Sequence, residues 1–203
     1  MRILFYGDSN TYGYDPADPY GQRYPLEKRW TTLLQEKMKG QCEVISEGMN
    51  GRKLPDLKYD GERIQHMLNE LQEGDLFAVM LGTNDILLTI EPDADIPIGK
   101  MHSFLNWLTE RRAAGDILVI APPHIGGSLI RNPLYRRYYV ESRKMNAGFK
   151  EVAKEFHANI VDTGDWGIEL SADLVHLSEQ GHRQFASKMA ECLQLLYTGE
   201  WLS

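Results

Sequence analysis

Two short, unbroken apolar runs constrain this chain more than any other feature. Residues 76–81 (LFAVML) lie between Asp75 and Gly82, and Ile117–Ala121 (ILVIA) stops at Pro122-Pro123. Runs without polar alternation suit strands covered on both faces, as in the centre of a parallel sheet. Weaker strand candidates flank them: Ile3-Leu4-Phe5-Tyr6 before Gly7, residues 42–46 (CEVIS), and Asn159–Asp162 (NIVD). Amphipathic stretches separate these runs. Residues 29–39 place Trp30, Leu33, Leu34 and Met38 on one helical face, closed by Gly40. Asp60 is expected to cap a helix carrying Ile64, Met67, Leu68 and Leu71, ending near Gly74. Ile98, Met101, Phe104, Leu105 and Leu108 mark the next helix, before Gly115. A long helix is expected over 133–156, and Ser178 caps a last one with Phe185, Met189, Leu193 and Leu196 on one face. Five strands alternating with helices predict an α/β fold, a three-layer α/β/α sandwich around a five-stranded parallel sheet with right-handed crossovers.

Composition narrows what such a sheet can serve. The chain of 203 residues fits one domain over 1–203, and its net charge of −7 argues against a general nucleic-acid binder. It has no run of about 18 apolar residues, so no membrane span is expected. The apolar stretch after Arg2 is too short for a signal-peptide core. Cys42 and Cys192 lie far apart with no CxxC, which reads as two reduced thiols in a cytoplasmic protein. No GxGxxG, phosphate loop, HExxH or GxSxG occurs, and no His, Asp and Glu share metal-ligand spacing. The expected chemistry therefore needs no cofactor and no metal. Two long irregular stretches, 11–28 and 87–97, are expected to build a site or an interface.

In a parallel α/β sheet, ligands gather at the carboxyl ends of the strands. The segments after the predicted strands read Gly7-Asp8-Ser9-Asn10, Glu47-Gly48-Met49-Asn50-Gly51, Gly82-Thr83-Asn84-Asp85 and Pro122-Pro123-His124. Beyond the fifth strand lies Asp173-Leu174-Val175-His176. Ser9 is a candidate nucleophile, which needs a base within hydrogen-bond reach. His176 is a candidate base, since imidazole titrates near neutral pH. Asp173, three residues earlier, can orient the ring. The Ser9 and Gly48 backbone N–H groups and the Asn84 amide are candidate donors to a developing oxyanion. A glycine at 48 allows close approach of backbone to substrate. His124 is a weaker candidate for the pocket wall. His182 reads as a surface or packing residue, and His66, His102 and His157 as solvated. Arg136-Arg137-Tyr138-Tyr139 reads as a solvated helix face or an oligomer contact.

Taken in order, these motifs resemble the SGNH hydrolases, also called GDSL-type esterases and lipases. The match runs through GDSN at 7–10, EGMNG at 47–51, GTND at 82–85 and DLVH at 173–176. The resemblance implies a flavodoxin-like SGNH hydrolase fold with Ser9 as nucleophile, Asp173 as acid and His176 as base. It implies an oxyanion hole of Ser9, Gly48 and Asn84. Many members carry Leu where this chain has Asn10, and Asn where it has Ser46. The run LGTND, the Arg29-Trp30 helix start and Glu47-Gly48 look like the branch of short-chain arylesterases, acyltransferases and carbohydrate acetyl esterases. Some of that branch are homo-oligomers, so self-association is one expectation. The implied partner is a small-molecule ester, with no nucleic acid and no membrane. The implied reaction is hydrolysis through an acyl-enzyme, with transfer to an alcohol as a second outcome. The alternatives are a lipase or lysophospholipase-type acylhydrolase of the same family, and a carbohydrate-binding module that kept the fold without turnover. A flavodoxin-like phosphate or nucleotide binder is a third, disfavoured by the missing glycine fingerprint.

Overall fold

The structure, a computed structural model, describes residues 1–18, 20–126 and 131–198. Its sheet holds β1 (Arg2–Gly7), β2 (Glu43–Gly48), β3 (Leu76–Met80), β4 (Ile117–Ala121) and β5 (Asn159–Asp162). All pairings are parallel, in the order β2-β1-β3-β4-β5. One face is covered by α2 (Trp30–Lys37) and α7 (Glu179–Thr198), the other by α3 (Leu57–Glu70), α5 (Asp95–Thr109) and α6 (Pro133–Glu155). Short helices α1 (Ser9–Tyr12) and α4 (Thr83–Leu87) follow β1 and β3 directly. This is the α/β/α sandwich that the apolar runs predict.

Strand alternation sends neighbouring side chains to opposite layers. Leu4, Tyr6, Phe77, Val79 and Val119 pack with Ile64, Phe104, Met145 and Phe149. Ile3, Phe5, Ala78, Met80, Leu118 and Ile120 pack with Trp30, Leu34, Phe185 and Met189. Trp30 anchors the second layer, 4.9 Å from the Phe5 ring and 4.8 Å from that of Phe185. Full burial of such a side chain stabilises the fold by about 1.5–3 kcal/mol. That explains why β3 and β4, buried at every residue, read so plainly as apolar runs. No helix among the described residues is long and apolar enough to cross a membrane.

Several boundaries differ from the sequence reading. Asp56, not Asp60, caps α3: its side chain accepts from the Lys58 N–H at 3.1 Å. Asp60 lies in the first turn, where its carboxylate takes the Asp56 N–H at 2.9 Å. Both aspartates serve one helix start, and the earlier Pro55-Asp56 pair sets it. The stretch expected to be irregular over 87–97 is shorter, because α5 begins at Asp95 with Pro97 in its first turn. Proline is tolerated there, since first-turn N–H groups lack intrahelical partners. α2 and α3 end before Gly40 and Gly74, and both glycines adopt φ of 82° in the turns beyond. β2 runs on to Gly48 rather than ending at Ser46, which carries the motif glycine into the sheet edge.

Candidate active site

The chain lays β2 on one side of β1 and then crosses to lay β3 on the other. The order reverses at β1, and such a switch point opens a crevice beyond the strand ends. Ser9 follows β1, Gly48 ends β2, and Asn84 follows β3, so three neighbouring strands deliver them to one edge.

The turn after β1 is built around Asp8. Its side chain caps α1 by accepting the Asn10 N–H at 2.9 Å, and Gly13, with φ of 83°, closes the helix. Ser9 therefore sits in the first turn, with its Oγ 2.9 Å from His176 Nε2. His176 Nδ1 lies 2.5 Å from Asp173 Oδ2. An ionised carboxylate can only accept, so Nδ1 carries the proton and Nε2 accepts from the Ser9 hydroxyl. The second Asp173 oxygen accepts the backbone N–H groups of Val175, at 3.1 Å, and His176, at 3.0 Å. Burial pushes the Asp173 carboxyl up, but the His176 ring and these backbone donors outweigh it and hold it below the usual carboxylate range. Leu174, at the tip of this turn, takes φ of 63°. A non-glycine residue there costs about 1–3 kcal/mol and persists only where its surroundings hold it. Here its carbonyl accepts the Gly126 N–H at 2.6 Å.

Asn10 clamps that loop to the turn that carries Ser9. Its amide donates to Val175 O at 3.2 Å and accepts the Leu177 N–H at 2.9 Å, so it grips the backbone on both sides of His176. Tyr14 lies beside the imidazole, with ring centroids 4.7 Å apart. Sequence reasoning noted Asn10 only as a departure from the family's Leu, and it missed Tyr14. The polar side chain next to the serine was the available signal for the first; nothing in the sequence points to the second.

Gly48 is pressed against α1. A Cβ added there would lie 2.1 Å from Tyr12 N and 2.5 Å from Thr11 C. The glycine is thus required for packing against α1, which carries Ser9, a demand separate from access for substrate. Asn84 is buried, and its Nδ2 donates to Arg52 O at 3.0 Å, leaving its second N–H for another acceptor.

The other histidines lie elsewhere. His124 is buried and lines a cavity of about 290 Å³ with Pro123, Tyr139, Asp165 and Ile168, and none of Ser9, Asp173 and His176 lines it. His182 is only 1% exposed, and its Nδ1 accepts the Trp30 N–H at 3.2 Å. It is a core residue: the surface reading is set aside and the packing one kept. His66, His102 and His157 are exposed, although His157 lies just past α6 rather than on it. Arg136 and Arg137 are exposed as well.

Asp8 and His182 bear opposed titrations. Burial pushes the Asp8 carboxyl up to about 6, against the Asn10 N–H, His176 and Arg52. Burial pushes His182 down to about 4, helped by Arg29 and His176. Between these values the folded chain keeps a proton on Asp8 that the unfolded chain has lost, so Asp8 adds stability as pH falls. The unfolded chain gains a proton on His182 that the folded chain refuses, so His182 removes stability as pH falls. The two slopes oppose each other over about pH 4–6. Asp8→Asn keeps the cap acceptor and removes one slope. Stability of the variant is expected to fall more steeply toward acid than that of the native chain, by about 1.4 kcal/mol per pH unit. Urea unfolding at pH 4, 5 and 6 reads this; parallel curves for the two proteins would refute it.

A hydroxyl, an imidazole and a carboxylate in hydrogen-bond series form the constellation of serine hydrolases, which recurs on unrelated folds and is recognised by geometry. The chain belongs to the GDSL-like lipase/acylhydrolase family, whose model matches residues 5–184, and it is a serine ester hydrolase. No curated protein sequence matches it significantly. Among solved structures it resembles a protein described as an arylesterase from Agrobacterium tumefaciens str. C58, at 26% identity and a TM-score of 0.79, covering 97% of this chain and 99% of that one. A carbohydrate acetylesterase from Sinorhizobium meliloti gives 23% identity and a TM-score of 0.77, with coverage of 97% and 99%. The aryl esterase of M. smegmatis gives 22% and 0.77, with coverage of 97% and 99%.

Proposed function

We propose that this enzyme hydrolyses short-chain, acetyl-like esters of aryl or carbohydrate alcohols through an acyl-enzyme on Ser9. The observation that carries the reading is the unbroken series from Ser9 Oγ through His176 to Asp173, at 2.9 Å and 2.5 Å. Ser9 Oγ attacks the ester carbonyl and its proton passes to His176 Nε2. Asp173 holds the ring and stabilises the imidazolium. The carbonyl oxygen gains negative charge and is met by the Ser9 and Gly48 N–H groups and the Asn84 amide. As the bond to the leaving oxygen breaks, His176 returns the proton to the departing alcohol. Water then attacks the acyl group, with His176 as base, and frees the acid and Ser9. An alcohol in place of water gives acyl transfer by the same steps.

The short acyl group is supported by the crowding beside the base. The Tyr14 ring lies against His176, and the 11–28 stretch folds back on itself through the Tyr14–Arg23 bridge. The similar structures described as arylesterase and carbohydrate acetylesterase support the alcohol class. The test compares 4-nitrophenyl acetate with the palmitate, and an acetylated sugar with both. Acetate esters are expected to be preferred in kcat/KM by on the order of 10² or more, the equivalent of about 2.7 kcal/mol at the transition state. Preference for palmitate would reassign the substrate to lipid.

A further inference from the structure

Arg52 is one of the few buried cations in the fold, only 5% exposed, and the reaction above assigns it nothing. It follows Gly51, whose φ of 71° closes a tight turn in which the Arg52 N–H donates to Met49 O at 3.2 Å. The turn sends the side chain back beneath the strand ends. There its guanidinium lies over the Tyr6 ring, 4.1 Å from the centroid. Its Nη1 donates to Gly7 O at 2.9 Å and also to Glu47 O. Gly7 ends β1 two residues before Ser9, and Glu47 directly precedes Gly48. The backbone carbonyl of the same residue accepts from Asn84 Nδ2. One residue thus touches all three segments that carry the oxyanion donors.

We propose that Arg52 is the positioning residue of the oxyanion hole, tying the ends of β1 and β2 together with its guanidinium and orienting the Asn84 amide with its carbonyl. The inference rests on the acyl-enzyme reading above and goes beyond it. Oxyanion donors act because they are aimed before charge develops, so a group that fixes their aim contributes to the transition state without touching substrate. The Asn84 amide is planar: with one N–H held on Arg52 O, the direction of the other is set. The cation also satisfies two carbonyls that the sheet ends would otherwise bury without a second partner. Charge-assisted hydrogen bonds of this kind are roughly twice as strong as neutral ones.

The experiment is a cycle of Arg52→Met, Asn84→Ala and the double variant, assayed with 4-nitrophenyl acetate. Arg52→Met keeps the apolar stem over Tyr6 and removes the donors. It is expected to lower kcat by on the order of 10², with KM within about threefold; Asn84→Ala is expected to lower kcat by 10²–10³. Because both act on one set of donors, the double variant is expected to lose at least about tenfold less than the product of the single losses. A boronic acid, whose tetrahedral adduct places an oxygen in the hole, is expected to lose affinity for Arg52→Met in parallel with kcat. Multiplicative losses, or kcat within threefold of the native value, would overturn the proposal. Should Arg52→Met fail to fold, Arg52→Lys replaces it in the cycle under the same criteria. Ser9→Ala separates the two levels. If that variant still turns over, the acyl-enzyme reading itself falls. If it is inactive while Arg52 variants match the native enzyme, only the positioning role falls.

Discussion

Ser9→Ala is expected to lose on the order of 10⁴–10⁶ in kcat toward aryl acetates, and to lose covalent labelling by a fluorophosphonate. In the proposed reaction His176 accepts the proton of this hydroxyl, so its removal leaves the imidazole with nothing to activate. His176→Ala is expected to cost a similar factor, because the serine then lacks its base. The double variant should be little worse than either single, since the groups act as a unit. The residual rate is that of binding and of the oxyanion donors alone. Burst kinetics with 4-nitrophenyl acetate and mass spectrometry of the labelled chain give the two readouts. Ser9→Ala with native turnover would assign the chemistry to another residue. Independent losses for Ser9 and His176 would mean that their 2.9 Å contact is not used in turnover.

Gly48→Ala is expected to damage both the fold and the site. The added carbon would meet the backbone of Thr11 and Tyr12 at 2.1–2.5 Å, and backbone cannot rotate out of the way. Either the end of β2 retreats or α1 does, and α1 carries Ser9. The Ser46 hydroxyl, donating to Thr11 O at 3.3 Å, already holds these segments together. The change therefore moves Gly48 and Ser9, the proposed donor and nucleophile, relative to each other. We expect a loss on the order of 10³ in kcat and about 1–3 kcal/mol of stability. Gly99→Ala, where an added carbon meets nothing within 4 Å, is the control. Stopped-flow acylation and urea midpoints measure both effects. Native acylation by Gly48→Ala would show that the close approach can relax at no cost to the site.

The sequence made the centre of the fold legible because β3 and β4 are buried on both faces and tolerate no polar residue. Helix starts were harder. Asp56 and Asp60 both accept backbone N–H groups at one helix start, and both residue types suit a cap. The residues with candidate chemistry stood out because each follows a strand and is small, polar or titratable. Their mutual distances were not legible, since Ser9 and His176 meet across 167 positions. What escaped notice were residues whose work is indirect. Arg52 looks like any arginine after a turn until its guanidinium is found between two strand ends. Asn10 looks like a variant of a motif until its amide is found on the backbone around His176. Asp8 is one more polar residue of the turn after β1 until its burial, which lifts its carboxyl, is seen. Residues like these are defined by long-range contacts, and neither local propensity nor periodicity encodes those.

The path of the chain gives the two halves of the site different histories. Ser9, Gly48 and Asn84 lie within the first 84 residues, at the ends of adjacent strands, so their neighbourhood closes over shorter sequence separations than the contact of Ser9 with His176. His176 and Asp173 arrive from beyond β5, on a turn held to that neighbourhood by Asn10, by the Ser9 contact and by the buried Leu177, and to Gly126 by one backbone bond. Contacts of such long sequence separation carry the larger loop-closure cost, and native proteins open locally as well as globally. Opening of the 170–177 turn would take His176, the proposed base, from Ser9 while Ser9, Gly48 and Asn84 stayed assembled. If the proposed roles hold, the molecule in that state would still grip an ester carbonyl without cleaving it, and amide exchange in this short turn would report how often the enzyme is switched off.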